Sequence, residues 1–296
     1  MQRLTVYWLS LAMTLGGYAA RAAGDTKAEQ LMAQARAALG GENNLNKVQG
    51  LTATGTYQRT MPDRQLSGEV TIDLQLPDKM LRTESMSPMG DMTIVTEQGV
   101  NGEKLLRNQR TMNVPPGAVI RVGPAPTGDA EAQAVRNARA DLARTVVAFL
   151  LTSPASMPLE FAYGGQAESD EGKADIVEAK GAGNFAARLF LDQTSHRPLM
   201  LTYRGVSPRV MIQTQQGPPP DGGRGQRGEP APGATPAMPP PQVVDITLYL
   251  DDYKSVDGVM LPHHMARSVD GKPIEETTFK TIKINPAFKP DTFSAK

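Results

Sequence analysis

The chain has 296 residues, a formal net charge of zero and no cysteine. Hydrophobic residues make up 40% of the chain and charged residues 21%, a balance typical of a folded protein. The even charge argues against a nucleic-acid-binding protein, which would carry an excess of Lys and Arg. The lack of cysteine excludes disulfides, a thiolate nucleophile, cysteine-based metal sites and the lipid-modified cysteine of a bacterial lipoprotein.

Residues 1–22 have the pattern of a secretory signal peptide. Arg3 gives a positive start, residues 4–15 are mostly apolar, and Ala20-Arg21-Ala22 fits a signal-peptidase site. The apolar run is shorter than the roughly 20 residues that a membrane-spanning helix needs, and no later segment is long and apolar enough. We therefore expect cleavage, a soluble periplasmic protein without a transmembrane segment, and one domain over residues 23–296.

The mature chain begins with a predicted helix and continues with strands. Asp25 or Thr26 caps a helix that runs to Ala38, and Gly40-Gly41 ends it. From Leu51 onward the apolar residues alternate with polar ones, as in an antiparallel sheet with one dry and one wet face. The clearest alternation places these side chains on the dry face: Leu66, Gly68, Val70, Ile72, Leu74 and Leu76.

Residues 129–151 interrupt the strand pattern with a second predicted helix. Its apolar stripe includes Val135, Leu142, Val146 and Phe149. A helix fixed in the core and a lid helix that opens over a ligand have the same sequence pattern, so both interpretations stay open.

The predicted order of helix, strands, helix and strands favours a mainly β (α+β) fold. About eleven strands without βαβ alternation suit one strongly curved antiparallel sheet that wraps a helix. Residues 217–241 are rich in Pro and Gly and predict a disordered loop inserted into that domain.

Candidate catalytic residues are few. His263 and His264 are adjacent, so on a strand they point to opposite faces and cannot bind one metal; the same objection applies to Asp251 and Asp252. His196 lies in a predicted turn. Because no catalytic or phosphate-binding motif is present, we expect no enzyme activity and no cofactor.

Met86, Met89 and Met92 are spaced three residues apart. Thioethers bind Cu(I), so a copper site is one interpretation. The alternative is that these residues fill irregular apolar space in the core or in an adaptable cavity.

Three stretches resemble the periplasmic lipoprotein-sorting superfamily, the LolA/LolB-like proteins. Residues 35–55 (ARAALGGENNLNKVQGLTATG) are similar to the family's entry helix, Gly-Gly stop and first strand, and residues 190–204 (FLDQTSHRPLMLTYR) to its Asp–turn–Pro hairpin. Residues 252–293 resemble the closing strands and the ending of the family through these residues: Asp252, Tyr253, Val256, Asp257, Gly258, Leu261, Pro262, Ile284, Asn285, Pro286 and Phe293.

The resemblance implies an unclosed antiparallel half-barrel whose apolar concave face is covered by helices. It also implies a soluble periplasmic carrier or binding protein, without catalysis, for a lipoprotein acyl chain or another hydrophobic ligand. The ligand would contact Val70, Ile72, Leu74 and the helix stripe Val135, Leu142, Val146 and Phe149. The alternative function is a protein-interaction module of the cell envelope, either a sensor or an assembly subunit. The missing cysteine and the 217–241 insertion depart from the family pattern.

Overall fold

The computed structural model describes residues 21–61, 64–89, 91–114, 127–170, 172–206 and 242–294. Most of the predicted signal peptide and the predicted 217–241 loop lie outside these ranges. The described residues form three α-helices and twelve strands. The helices are α1 (Arg21–Ala38), α2 (Glu42–Leu45) and α3 (Asp129–Leu150). The strands are β1 (Gly50–Thr60), β2 (Gln65–Gln75), β3 (Lys79–Met89), β4 (Met92–Asn101), β5 (Lys104–Met112), β6 (Leu159–Ser169), β7 (Gly172–Gly181), β8 (Phe185–Asp192), β9 (Pro198–Val206), β10 (Val243–Val256), β11 (Val259–Val269) and β12 (Lys272–Ile284).

All twelve strands belong to one antiparallel sheet in the order β5-β4-β3-β2-β1-β12-β11-β10-β9-β8-β7-β6. Within the described ranges β5 and β6 have no strand beyond them, so the sheet is not closed into a barrel. The predicted mainly β half-barrel is confirmed, with twelve strands in place of about eleven.

Contacts of α3 show that the sheet curls. Arg139 pairs with Glu103 in the β4–β5 turn, while the Arg144 guanidinium lies 3.8 Å from the ring centre of Tyr203 on β9. These two arginines are only about 7.5 Å apart along a helix axis. In a flat sheet β4 and β9 would lie about 34 Å apart, since neighbouring strands are spaced by about 4.8 Å. The sheet therefore wraps around α3.

The helix ends follow the sequence signals, with one difference. Gly40 and Gly41 have positive φ and end α1, whose last turn packs on the β10–β11 turn: Met260 N–H donates to Leu39 O at 2.8 Å. A Cβ at Gly40 would lie 2.1 Å from Gly258 O, so this position requires glycine. Among the described residues α1 already includes Arg21, so Asp25 and Thr26 lie within the helix rather than capping it as predicted.

The core lies on the concave face, between the sheet and the helices. One continuous cluster joins α1, α3 and inward side chains from most strands, and Phe149 meets Phe279 edge to face with ring centres 6.2 Å apart. Two smaller clusters lie on the convex face. In one of them, Leu81 and Leu106 are covered by Phe288 and Phe293 from the C-terminal segment.

Candidate functional site: the charged end of the concave face

The strand register identifies which side chains share the concave face. Residues directly opposite each other in an antiparallel ladder point to the same side of the sheet. Leu51 on β1 pairs with Leu74, Ala53 with Ile72, and all four are buried. The seven side chains that the sequence proposed as lining or lid are all buried: Val70, Ile72, Leu74, Val135, Leu142, Val146 and Phe149.

Helix α3 has two halves with different surroundings. From Leu142 to Leu150 seven of nine residues are buried, and they belong to the main core cluster. From Asp129 to Asp141 only Val135 is buried, and it lies outside that cluster. The second half of α3 is therefore packed as core, whereas the first half is more exposed and touches the core cluster through Ala138 and Ala140.

Four charged side chains form a network on the concave face. Arg59 donates to Glu275 at 2.5 Å and to Glu84 at 2.9 Å; Arg82 donates to Glu84 at 2.7 Å and to Glu275 at 2.8 Å. Arg82 and Glu275 lie on β3 and β12, which are separated by β2 and β1, so curling of the sheet brings them together. The side chains are between 6% and 20% exposed, so this network is largely removed from water.

A third arginine faces the same network. Arg267 on β11 lies directly opposite Glu275 in the ladder. Burial by itself would raise the pKa of Glu275, but the positive charges of Arg82, Arg267 and Arg59 outweigh it and lower that pKa to about 2. Glu275 is therefore a carboxylate at any neutral pH.

Two buried donors beside the network have no hydrogen-bond partner within the described ranges. They are the hydroxyl of Tyr57 and Nε of Arg267. The Tyr57 side chain is 1% exposed, and the Arg59 guanidinium lies 5.0 Å from its ring centre. Burial and the negative charge of Glu84 raise the pKa of Tyr57 to about 12, so the hydroxyl stays protonated as a donor. Unpaired buried donors of this kind are rare in proteins.

Gly68 makes room for the Tyr57 ring. The two residues are directly opposite on β1 and β2, and a Cβ on Gly68 would lie 2.9 Å from a ring carbon of Tyr57 and 2.2 Å from Ser85 O. Gly68, which lies on the predicted dry face, is therefore needed because a side chain there would displace the Tyr57 ring.

Partly exposed apolar side chains adjoin the charged network. Met86 pairs with Gly68 beside Tyr57, Leu248 lies opposite Arg267, and Tyr203 stacks under Arg144 of α3. All three pack against the main core but retain some exposure. The concave face thus presents partly exposed apolar side chains next to the charged network.

The three histidine side chains have different surroundings, and that of His264 contacts one of the two adjacent aspartates. His263 is buried with its ring nitrogen 3.0 Å from Leu261 O, whereas Nδ1 of His264 lies 3.4 Å from Asp251 on the neighbouring strand. His196 lies in the β8–β9 turn with positive φ, and Asp252 has positive φ and pairs with Lys254. Within the described ranges no group of three or more His, Cys, Asp or Glu side chains is placed to hold a metal ion.

The methionine motif spans the β3–β4 hairpin. Met86 packs against the core, Met92 is buried, and Met89 pairs with Met92 in the backbone ladder. The Met89 side chain lies outside the described part of the structure, so the copper interpretation stays an untested prediction.

Sequence reasoning missed the charged network. Arg82 and Glu84 lie on the concave face of β3, where alternation with Met80 and Met86 predicts apolar side chains. A single strand gives no sign that its inward charges will meet Arg59 and Glu275, which are distant in sequence. The sequence does contain one indication of this network. Met80, Arg82, Glu84 and Met86 are two residues apart, so a strand places charged and apolar side chains on the same face.

No protein-family model matches the sequence, and no curated protein does. Among solved structures, the chain is similar to a LolA superfamily protein from Nitrosomonas europaea, with 10% identity, 90% of this chain and 97% of the other covered, and a TM-score of 0.46. It is also similar to a DUF1329 family protein from Desulfovibrio piger (8% identity, 90% and 96% covered, TM-score 0.46). A third is a putative outer membrane lipoprotein-sorting protein domain from Vibrio parahaemolyticus (13% identity, 90% and 97% covered, TM-score 0.43).

Proposed function

We propose that the protein is a periplasmic carrier or binding protein for a hydrophobic ligand, such as a lipid or a lipoprotein acyl chain, and that it performs no catalysis. The observation that carries this proposal is an open, curled sheet whose concave face keeps partly exposed apolar side chains, among them Tyr203 under Arg144 of α3. The signal-peptide pattern of residues 1–22 supports the periplasmic location.

The proposed ligand lies against Met86, Leu248 and Tyr203. Each methylene group transferred from water to an apolar surface contributes about 0.8 kcal/mol, so a long acyl chain gains enough to bind in a shallow cleft. The unbranched Met86 side chain adapts to chains of different shape. The buried second half of α3 stays in place, and the ligand enters beside the first half, in which only Val135 is buried.

The proposal is tested with a fluorescent fatty-acid probe and purified, delipidated protein. We expect saturable binding that Leu248→Gln weakens, because this substitution puts an amide into the concave apolar surface. Thr247→Gln is the matched control, since its side chain points to the opposite face of β10. Thermal unfolding followed by circular dichroism checks that both variants fold. Absence of saturable binding to the wild-type protein would reject the proposal.

A second candidate is the envelope interaction module. The observation that favours it is the pair of sheet edges, β5 and β6, beside which the described residues place no strand. Such edges can pair with an extended peptide of another protein. This function predicts that protein purified from its native envelope carries a stoichiometric protein partner and no lipid.

We found no helix of sufficient length and apolarity to span a bilayer among the described residues.

A further inference from the structure

The charged network carries a net positive charge that its own carboxylates do not neutralise. Three positive side chains, Arg59, Arg82 and Arg267, face two carboxylates, Glu84 and Glu275. The sum of these charges is +1. Arg144, which stacks on Tyr203, does not change the sum because it is paired with Asp141 at 2.7 Å. A largely buried net charge is costly unless a counter-charge compensates it.

The unpaired donors lie beside the same arginines. The Tyr57 hydroxyl is buried, interacts electrostatically with Arg59, Arg82, Glu84 and Glu275, and has no partner among the described residues. Nε of Arg267, opposite Glu275, is likewise unpaired within that part of the chain. An unpaired buried donor costs free energy, whereas a hydrogen bond from such a donor to an anionic oxygen is stronger than one to a neutral acceptor.

We propose that this network is a head-group site, in which Arg267 and Tyr57 bind the carboxylate or phosphate oxygens of an amphiphile whose chain lies against Met86 and Leu248. This inference rests on the proposed function and names the chemistry of its ligand. A single negative charge neutralises the network. Leu248 lies directly opposite Arg267 on the concave face, so head group and chain occupy adjoining positions.

Three amphiphiles with one chain length test the head-group site: hexadecanoate, hexadecyl phosphate and hexadecanol. We expect delipidated wild-type protein to bind the two anions roughly tenfold more tightly than the alcohol in competition with a fluorescent probe. Equal affinity for all three would overturn the head-group site and leave the proposed function standing. Failure of all three to bind would overturn both.

Inorganic phosphate and acetate separate a head-group site from a free-anion site. Both should bind at least a hundredfold more weakly than the corresponding amphiphile, because they lack the chain. Inorganic phosphate that binds as tightly as hexadecyl phosphate would contradict the head-group assignment.

Two variants and a control test whether Arg267 and Tyr57 cause the preference for anionic amphiphiles over hexadecanol. Arg267→Gln and Tyr57→Phe should each reduce the preference for anions and leave the affinity for hexadecanol within about twofold. Tyr57→Phe keeps the ring and removes only the unpaired hydroxyl, so we expect it to fold even where Arg267→Gln does not. Arg188→Gln is the control, since Arg188 lies on the convex face and pairs with Glu178. An anion preference that survives in Tyr57→Phe and in folded Arg267→Gln would overturn the assignment.

Discussion

Glu275 is the residue on which the charged network depends. It accepts hydrogen bonds from Arg59 and Arg82 and lies opposite Arg267, and it is 7% exposed. Removing its charge leaves three arginines facing only Glu84. Breaking a buried ion pair on one side is strongly destabilising because the remaining charge is left without compensation.

We predict that Glu275→Gln lowers the free energy of unfolding by about 3 kcal/mol, measured by urea denaturation at neutral pH. Glu276→Gln changes the neighbouring residue, whose side chain points to the convex face, and should change stability by less than about 0.5 kcal/mol. Equal stability of the two variants would show that the network does not hold the strands together.

The same carboxylate predicts how stability depends on pH. The pKa of Glu275 is about 2 in the folded protein and about 4.5 in an unfolded chain. Its contribution is therefore fully present above about pH 4.5 and is lost as the pH falls through about 2. The difference in unfolding free energy between wild type and Glu275→Gln should shrink over this range. A difference that stays constant from pH 7 to pH 3 would contradict the assigned pKa.

Helix α3 combines a core segment with a covering segment. Amide hydrogen exchange followed by mass spectrometry should show strong protection over residues 142–150 and faster exchange over residues 129–140. Phe149→Ala should cost about 3–5 kcal/mol of stability, because it opens a cavity beside Phe279. Arg136→Ala on the exposed face is the control and should cost little. Uniform exchange along α3 would contradict the division into two segments.

Helices, strands and turns could be predicted from the sequence where neighbouring residues alone determine them. Two-residue loops form at Asp257-Gly258 and Asp270-Gly271, where each glycine has positive φ, as the Asp-Gly hairpin rule requires. The alternation of β2 placed Val70, Ile72 and Leu74 on the buried face. Helix α2 was missed because its four residues are too short for a periodic pattern.

The charged network depends on long-range geometry and was not predicted. The seven predicted lining residues are buried because burial follows from periodicity, and their contact with a ligand stays a prediction. The partners Arg59, Glu84 and Glu275 lie on three strands, and only the curl of the sheet brings their side chains together. Long-range contacts also decide the burial of Leu81. This side chain points to the convex face and is buried there because Phe288 and Phe293 cover it.

One sheet supplies both a packed core and a concave surface on which Met86, Leu248 and Tyr203 stay partly exposed. The core cluster runs from α1 through α3 to most strands, so we expect the fold to be stable without a ligand in the proposed cleft. A long-chain ligand that binds the folded state should raise the unfolding temperature of delipidated protein by mass action. Thermal unfolding with increasing hexadecanoate measures this increase, and an unchanged midpoint at saturating concentrations would contradict it.

We expect the concave face of this protein to hold an amphiphile when the protein is isolated from cells. Mass spectrometry of organic extracts tests it most directly, on wild-type and Leu248→Gln protein purified from the native envelope without detergent. We predict a long-chain lipid near one molecule per chain in the wild type and much less in the variant. A lipid-free extract from wild-type protein that also takes up no hexadecanoate would contradict the account.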